Sequence, residues 1–176
     1  YYSNSSNQPT ARVGTVSGTS ISFGGAATID SGTTYSSEAS MAFDSSSNKI
    51  VVAYKKSSAA YCKVGTVSGT AISWGSAVQF DSLIAYDSAM TFDSNSNKIV
   101  IVYSTVSQSI RQGYAIVGTV SGTSISFVTR VAFDYSDTRE TDVAFDSVAN
   151  KIIVVYKDRG NSNYGTAIVG TVSGTT

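Results

Sequence analysis

No histidine occurs anywhere in the 176 residues, and there is only one cysteine, one proline and one tryptophan. Without histidine the chain lacks the commonest general base and the commonest side-chain metal ligand, so no catalytic residue, metal site or cofactor is expected. Cys62 alone cannot close an internal disulfide, and in the strand-like context "AYCKVG" it reads as a small packed hydrophobe rather than a nucleophile. Charged residues make up only 14% of the chain, twelve basic against twelve acidic, and no run of one sign exceeds two. That leaves no electrostatic footprint for a nucleic acid or an anionic membrane partner. No stretch approaches the ~18 consecutive apolar residues of a membrane span. The opening "YYSNSSNQPT" has neither an initiator Met, a basic region nor an apolar core, so a missing signal peptide says nothing about localisation. The hydrophobic fraction of 41% is that of an ordinary globular domain able to bury a core.

What the sequence has instead is repetition. "VGTVSGTSISFG" from Val13 returns as "VGTVSGTAISWG" from Val64 and "VGTVSGTSISFV" from Val117, and "VGTVSGTT" begins at Val169, giving offsets of 51, 53 and 52 residues. A second phrase travels in step: "FDSSSNKIVVAY" from Phe43, "FDSNSNKIVIVY" from Phe92 and "FDSVANKIIVVY" from Phe145. A period of this length marks a repeat architecture.

Each period reads as four short strands. The first is "SMAFD", with Met41 and Phe43 on one face and Ala42 on the other, repeated by Met90 and Phe92 and by Val143 and Phe145. The second, "IVVAY", "IVIVY" or "IIVVY", is a β-branched run expected to be buried on both faces, with a stripe formed by Ile50, Val52, Tyr54 and their counterparts. The third runs through "VGTV". Ser-Gly then turns the chain into the fourth, "ISF" or "ISW", whose Ser22, Ser73 and Ser126 suggest a wet edge. A single antiparallel meander of this kind cannot cover both its faces, so neighbouring units must.

The fold expected is therefore all-β, a β-propeller of ~52-residue four-stranded antiparallel blades, with a β-solenoid or linear stalk as the alternative. The chain divides into a partial blade and crossover at 1–39, blades at 40–88 and 89–141, and a partial blade at 142–176. A window of a longer array, or completion by another chain, is expected.

The phrases VGTVSGTSISFG and FDSxSNKIVVxY resemble short-motif repeats of marine bacteriophage structural and tail proteins and of bacterial surface proteins, and do so over essentially the whole chain. The resemblance implies a propeller-like fold on a virion or cell surface. Other propeller signatures are missing: there is no Trp-Asp dipeptide at a strand end, and "DSSSNK" lacks the glycine of a sialidase Asp-box.

Several motifs read more simply as structure than as chemistry. Asp93, Asn95 and Asn97 have the spacing with which a calcium loop begins, but the glycine and closing glutamate of such a loop are missing and Val148 replaces Asn95 in the third copy. Asp and Asn in hairpin turns satisfy their own backbone amides. The glycines of VGTVSGT precede no helix and lack the phosphate-binding lysine. Asp30, Asp81 and Asp134, which recur after each fourth strand, read as strand terminators or loop caps, although paired carboxylates would suit a glycosidase.

The informative asymmetry lies in the connections. The turns after the first and third strands scarcely change ("DSSSNK", "DSNSNK", "DSVANK"; "SGT"), whereas those after the second ("KKSSAAY", "STVSQSIRQGY", "KDRGNSNYG") and fourth ("DSGTTYSSEA", "DSLIAYDSA", "DYSDTRETD") vary. In a meander the variable set shares one end, the usual layout of a binding face on a fixed scaffold. Tyr35, Tyr86 and Tyr135 are the candidate aromatic platforms there, with Arg111 and Arg159 as polar partners. They suit a sugar ring or protein surface. The function expected is a non-enzymatic extracellular module of a virion appendage or surface fibre that adheres to a glycan or protein receptor, its other partners being further blades or protomers of the same protein. A purely structural or assembly protein is the second expectation, and a glycosidase-like propeller enzyme the third.

Overall fold

The computed structural model describes residues 8–31, 39–107 and 109–174. Among these every regular element is a strand, and every strand pairing is antiparallel. Hairpin I comprises β1 (Thr10–Ala11), β2 (Gly14–Ser17), β3 (Ser20–Phe23) and β4 (Ala27–Thr28), with β2 paired to β3 and β1 to β4. Sheet II orders β5 (Ser40–Asp44), β6 (Lys49–Lys56), β7 (Ala59–Ser68) and β8 (Ala71–Trp74) as a meander, with β9 (Val78–Asp81) continuing the edge along β7. Sheet III repeats that plan with β10 (Tyr86–Asp93), β11 (Lys98–Ser107), β12 (Ile110–Ser121), β13 (Ser124–Phe127) and β14 (Val131–Asp134). Sheet IV contains β15 (Thr138–Asp146), β16 (Lys151–Asp158) and β17 (Tyr164–Gly170).

The expected first and second strands form in register, Phe43 opposite Ile50 and Phe92 opposite Ile99. The third strand is far longer than "VGTV". β12 pairs with β11 from Gly118 opposite Ile99 through to Ile110 opposite Ser107, so most of "STVSQSIRQGY" is ladder rather than loop. The polar run Ser104–Ser107 hid this continuation, although Thr105 is fully buried. The fourth strand likewise extends past its aromatic residue, kinking at Gly75 before β9.

The recurrent phrase now has a physical reason. A Cβ on Gly65 would lie 2.6 Å from the Trp74 ring, and one on Gly118 would lie 2.8 Å from Phe127, so the first glycine lets the aromatic side chain of the adjacent strand lie across the backbone. The second glycine takes the left-handed turn conformation, φ +56° at Gly69 and +60° at Gly122. These positions build the sheet.

Successive sheets stack face to face. Contact is heaviest between their first strands, β5 with β10 and β10 with β15, and thins toward the outer strands. Val51 and Ala53 of sheet II pack on Met90, Ile99 and Ile101 of sheet III, and Val100 and Val102 of sheet III pack on Ile152 and Val154 of sheet IV. The expected stripe is buried at eight of its nine positions, Ile50 being the half-buried exception.

A polar latch crosses two of the interfaces. Tyr54 donates its hydroxyl to Asp30 Oδ2 at 2.7 Å, and Tyr103 donates to Asp81 Oδ2 at 2.7 Å, each aspartate closing the preceding unit. Burial, reinforced by the facing carboxylate, pushes both phenols far above their ordinary range, so they remain donors. Lys56 Nζ lies 3.0 Å from Asp30, and Arg130 binds Asp81. Asp81 also caps its own turn, accepting from the Leu83 amide at 2.9 Å, so the capping role holds and the latch adds to it. At the third interface Asp134 instead takes the hydroxyls of Ser136 and Thr138.

Candidate functional site

The invariant end of the sheets is occupied by its own turns. Asp44 accepts from the amides of Ser46 and Ser47 at 2.9 and 3.1 Å, Asp93 from those of Asn95 and Ser96 at 2.9 and 3.0 Å, and Asp146 from those of Val148 and Ala149 at 2.9 and 3.0 Å. Asn48, Asn97 and Asn150 follow in the left-handed conformation, φ 54°, 55° and 55°. Burial alone would raise the Asp44 carboxyl, but hydrogen bonds from Ser47 and Ser46 outweigh it and hold the group below its ordinary value. Amides of Ala149 and Val148 do the same for exposed Asp146. The calcium-like spacing around Asp93 is thus used by backbone donors.

The opposite end is built differently, because its charged groups meet across strands. The Arg111 guanidinium lies 3.8 Å from the centre of the Tyr86 ring, and Lys55 Nζ lies 5.5 Å from the same centre. Arg111 also reaches Asp87 Oδ2 at 3.3 Å. Alongside, Asp137 accepts from Arg139 Nε at 2.7 Å and pairs with Arg159 Nη1 at 3.2 Å. Its carboxyl is held below the ordinary range chiefly by the Arg139 hydrogen bond, with Arg139, Arg159 and Arg111 adding charge attraction. Four cations therefore surround two carboxylates, and all six side chains are at least partly solvent-accessible.

The structure brings two of the sequence candidates together, Tyr86 and Arg111, but Arg111 lies on β12 rather than in a loop and covers one face of the ring. Tyr135, just past β14, is 72% exposed, and its carbonyl lies 3.4 Å from Gln112 Nε2. Arg159 follows β16 and is tied to Asp137. Tyr35 lies outside the described residues. Tyr135 stands one residue after Asp134 whereas Tyr86 stands five after Asp81, so the two do not occupy equivalent places in the repeat.

Sequence reasoning missed Asp87, Asp137 and Arg139. One signal was available: an acidic residue stands three before Met41, Met90 and Val143 in each otherwise variable crossover, at Glu38, Asp87 and Glu140. Asp87 and Glu140 sit at bulges in their strands with φ of 51° and 53°.

No protein-family model and no curated protein sequence matches this chain. Flat aromatic area edged by guanidinium and carboxylate groups can stack on a ring and hydrogen-bond its substituents.

Proposed function

We propose that this chain is a non-enzymatic, propeller-type repeat module on the outside of a cell or virion, and that its loop end adheres to a glycan or surface receptor. One observation carries the proposal: the two ends of the same sheets differ in how their charges are used. At the turn end each repeated aspartate is bonded within its own hairpin, whereas at the loop end Arg111 lies over the Tyr86 ring and Arg139 and Arg159 share Asp137, two residues from exposed Tyr135. The propeller arrangement is supported by the heavy contact along first strands, as in blades converging on an axis. Weak contacts repeated on neighbouring units would combine through multivalency, because each further engagement is intramolecular once the first has formed. Further units or protomers of the same protein complete the array in this view.

The test is binding of the purified chain to a glycan array and to whole cells. Tyr86→Ala combined with Tyr135→Ala should abolish binding and leave folding intact, while Lys49→Ala, Lys98→Ala and Lys151→Ala at the turn end should leave binding unchanged. Binding that survives the tyrosine changes, or that follows the lysines, would overturn the assignment of the face.

A further inference from the structure

Three arginines from three segments gather around one carboxylate. Arg139 Nε lies 2.7 Å from Asp137 Oδ1 and Arg159 Nη1 lies 3.2 Å from Asp137 Oδ2, while Arg111 on β12, itself 3.3 Å from Asp87, adds its charge from the end of sheet III. Each guanidinium is a planar fork of five N–H groups. The repeat does not call for this cluster. Arg139 stands four residues before Val143, where Tyr86 precedes Met90; Arg159 stands three beyond Tyr156, where Ser57 and Val106 follow Tyr54 and Tyr103. Asp137 stands three after Asp134, where Thr33 and Ile84 follow Asp30 and Asp81. Sheets II and III stack without counterparts of Asp137, Arg139 and Arg159, so stacking does not account for them.

Charge decides what such a cluster can hold. With twelve basic and twelve acidic residues the whole chain exerts no net attraction on a polyanion, so any affinity for one must come from a local excess. Here three guanidiniums face two carboxylates, Asp87 and Asp137. Nearby acids are engaged elsewhere: Glu140 pairs with Lys157 at 3.6 Å, and Asp134 and Asp158 both turn to the Ser136 hydroxyl. The depression of the Asp137 carboxyl, due first to the Arg139 hydrogen bond, reports the same positive field. We propose that Arg111, Arg139 and Arg159 form a subsite for the carboxylate or sulfate group of an acidic saccharide, and that Asp137 is a built-in stand-in which such a group displaces. Guanidinium forks match the paired oxygens of both groups, and half-buried Tyr86 and exposed Tyr135 supply flat area for the ring that carries the acid. This rests on the adhesive reading above and narrows its ligand from any glycan or receptor to an acidic sugar.

The experiment is binding of the full chain to immobilised heparin, hyaluronan and dextran, read by surface plasmon resonance. Heparin carries sulfates and carboxylates, hyaluronan carboxylates alone, and dextran neither. At least one of the two acidic chains should bind and dextran should not, with binding to heparin alone assigning the subsite to sulfate. Arg139→Gln and Arg159→Gln should each weaken binding about tenfold, as expected for loss of a hydrogen bond to a charged group. Lys151→Gln at the turn end removes the same charge and should change nothing. Asp137→Asn should strengthen binding severalfold, which a merely structural aspartate would not do. Arg159 is exposed, so its variant remains a test if Arg139→Gln does not fold, and circular dichroism checks both. Equal capture by polyglutamate would overturn the saccharide assignment, and an equal loss in Lys151→Gln would overturn the subsite. A chain that binds dextran or other neutral sugars but neither acidic one overturns this proposal and leaves adhesion standing, whereas binding to no saccharide removes glycan adhesion as well.

Discussion

The two ends of each sheet hold the same kind of residue and use it in opposite ways. At the turn end, Asp44, Asp93 and Asp146 bond only within three residues of themselves, so each hairpin is self-sufficient. Toward the loop end, Asp30 and Asp81 bond tyrosines more than twenty residues away in the next sheet, and Asp137 gathers two arginines. Short-range bonding keeps copies alike, since a turn that depends on nothing else can be duplicated unchanged. Long-range bonding ties a residue to its particular neighbours and lets each copy become different.

The sharpest way to break that comparison is to remove one carboxylate at each end. Asp81→Ala strands the Tyr103 hydroxyl and the Arg130 guanidinium at a buried interface, and should cost about 3–5 kcal/mol of unfolding free energy. Asp93→Ala loses only a local cap and should cost about 1–2 kcal/mol. Urea denaturation of the two variants reads the difference directly, and equal losses would mean that the turn end is no more local than the latch.

A finer test uses pH and salt together. Asp44, Asp137 and Asp146 all have carboxyls depressed in the folded state, so the stability they add is present above the unfolded value of about 4 and is lost as pH falls through the lower folded values. The deficit of Asp44→Asn relative to wild type should therefore shrink below about pH 4. Raising the salt to about 1 M, where the screening length is only about 3 Å, should weaken the Asp137 pairs and leave the caps intact. The salt effect should stay below about 1 kcal/mol, since both arginines and Asp137 are partly in water. Equal salt sensitivity in Asp137→Asn and wild type would remove the electrostatic distinction between the ends.

The sheets were legible in the sequence because their information is periodic. Alternation set the faces of β5, β10 and β15, and the β-branched runs set β6, β11 and β16. The length of β12 was not legible, since Ser104–Ser107 supplies polar side chains to a ladder specified by its backbone pairing. Aspartates read only as caps proved to be latches as well, and their partners lie 22 to 24 residues along the chain. A local reading weighs a residue against its nearest neighbours, yet Tyr54 and Tyr103 recur in step with Asp30 and Asp81, and that covariation in position was the visible trace of the contact. The cluster around Asp137 had no comparable trace, because Arg139 and Arg159 each appear in a single copy.

The latch also bears on how near-identical units find their proper order. Repeats this similar invite misassembly, because a sheet seated on the wrong neighbour regains most of its apolar contacts. Its charges would not match. Asp158 occupies the place in sheet IV that Lys56 holds in sheet II, two residues beyond the recurrent tyrosine. In the native stack Asp158 meets Asp134 through the shared hydroxyl of Ser136, 2.7 Å from Asp158 Oδ1. Seated on sheet II instead, the same residue would bring a second carboxylate toward Asp81 with no Arg130 to offset it. The native order thus sets opposite charges together at the second interface and bridges like charges through a hydroxyl at the third, a pattern that a misplaced sheet IV would not reproduce.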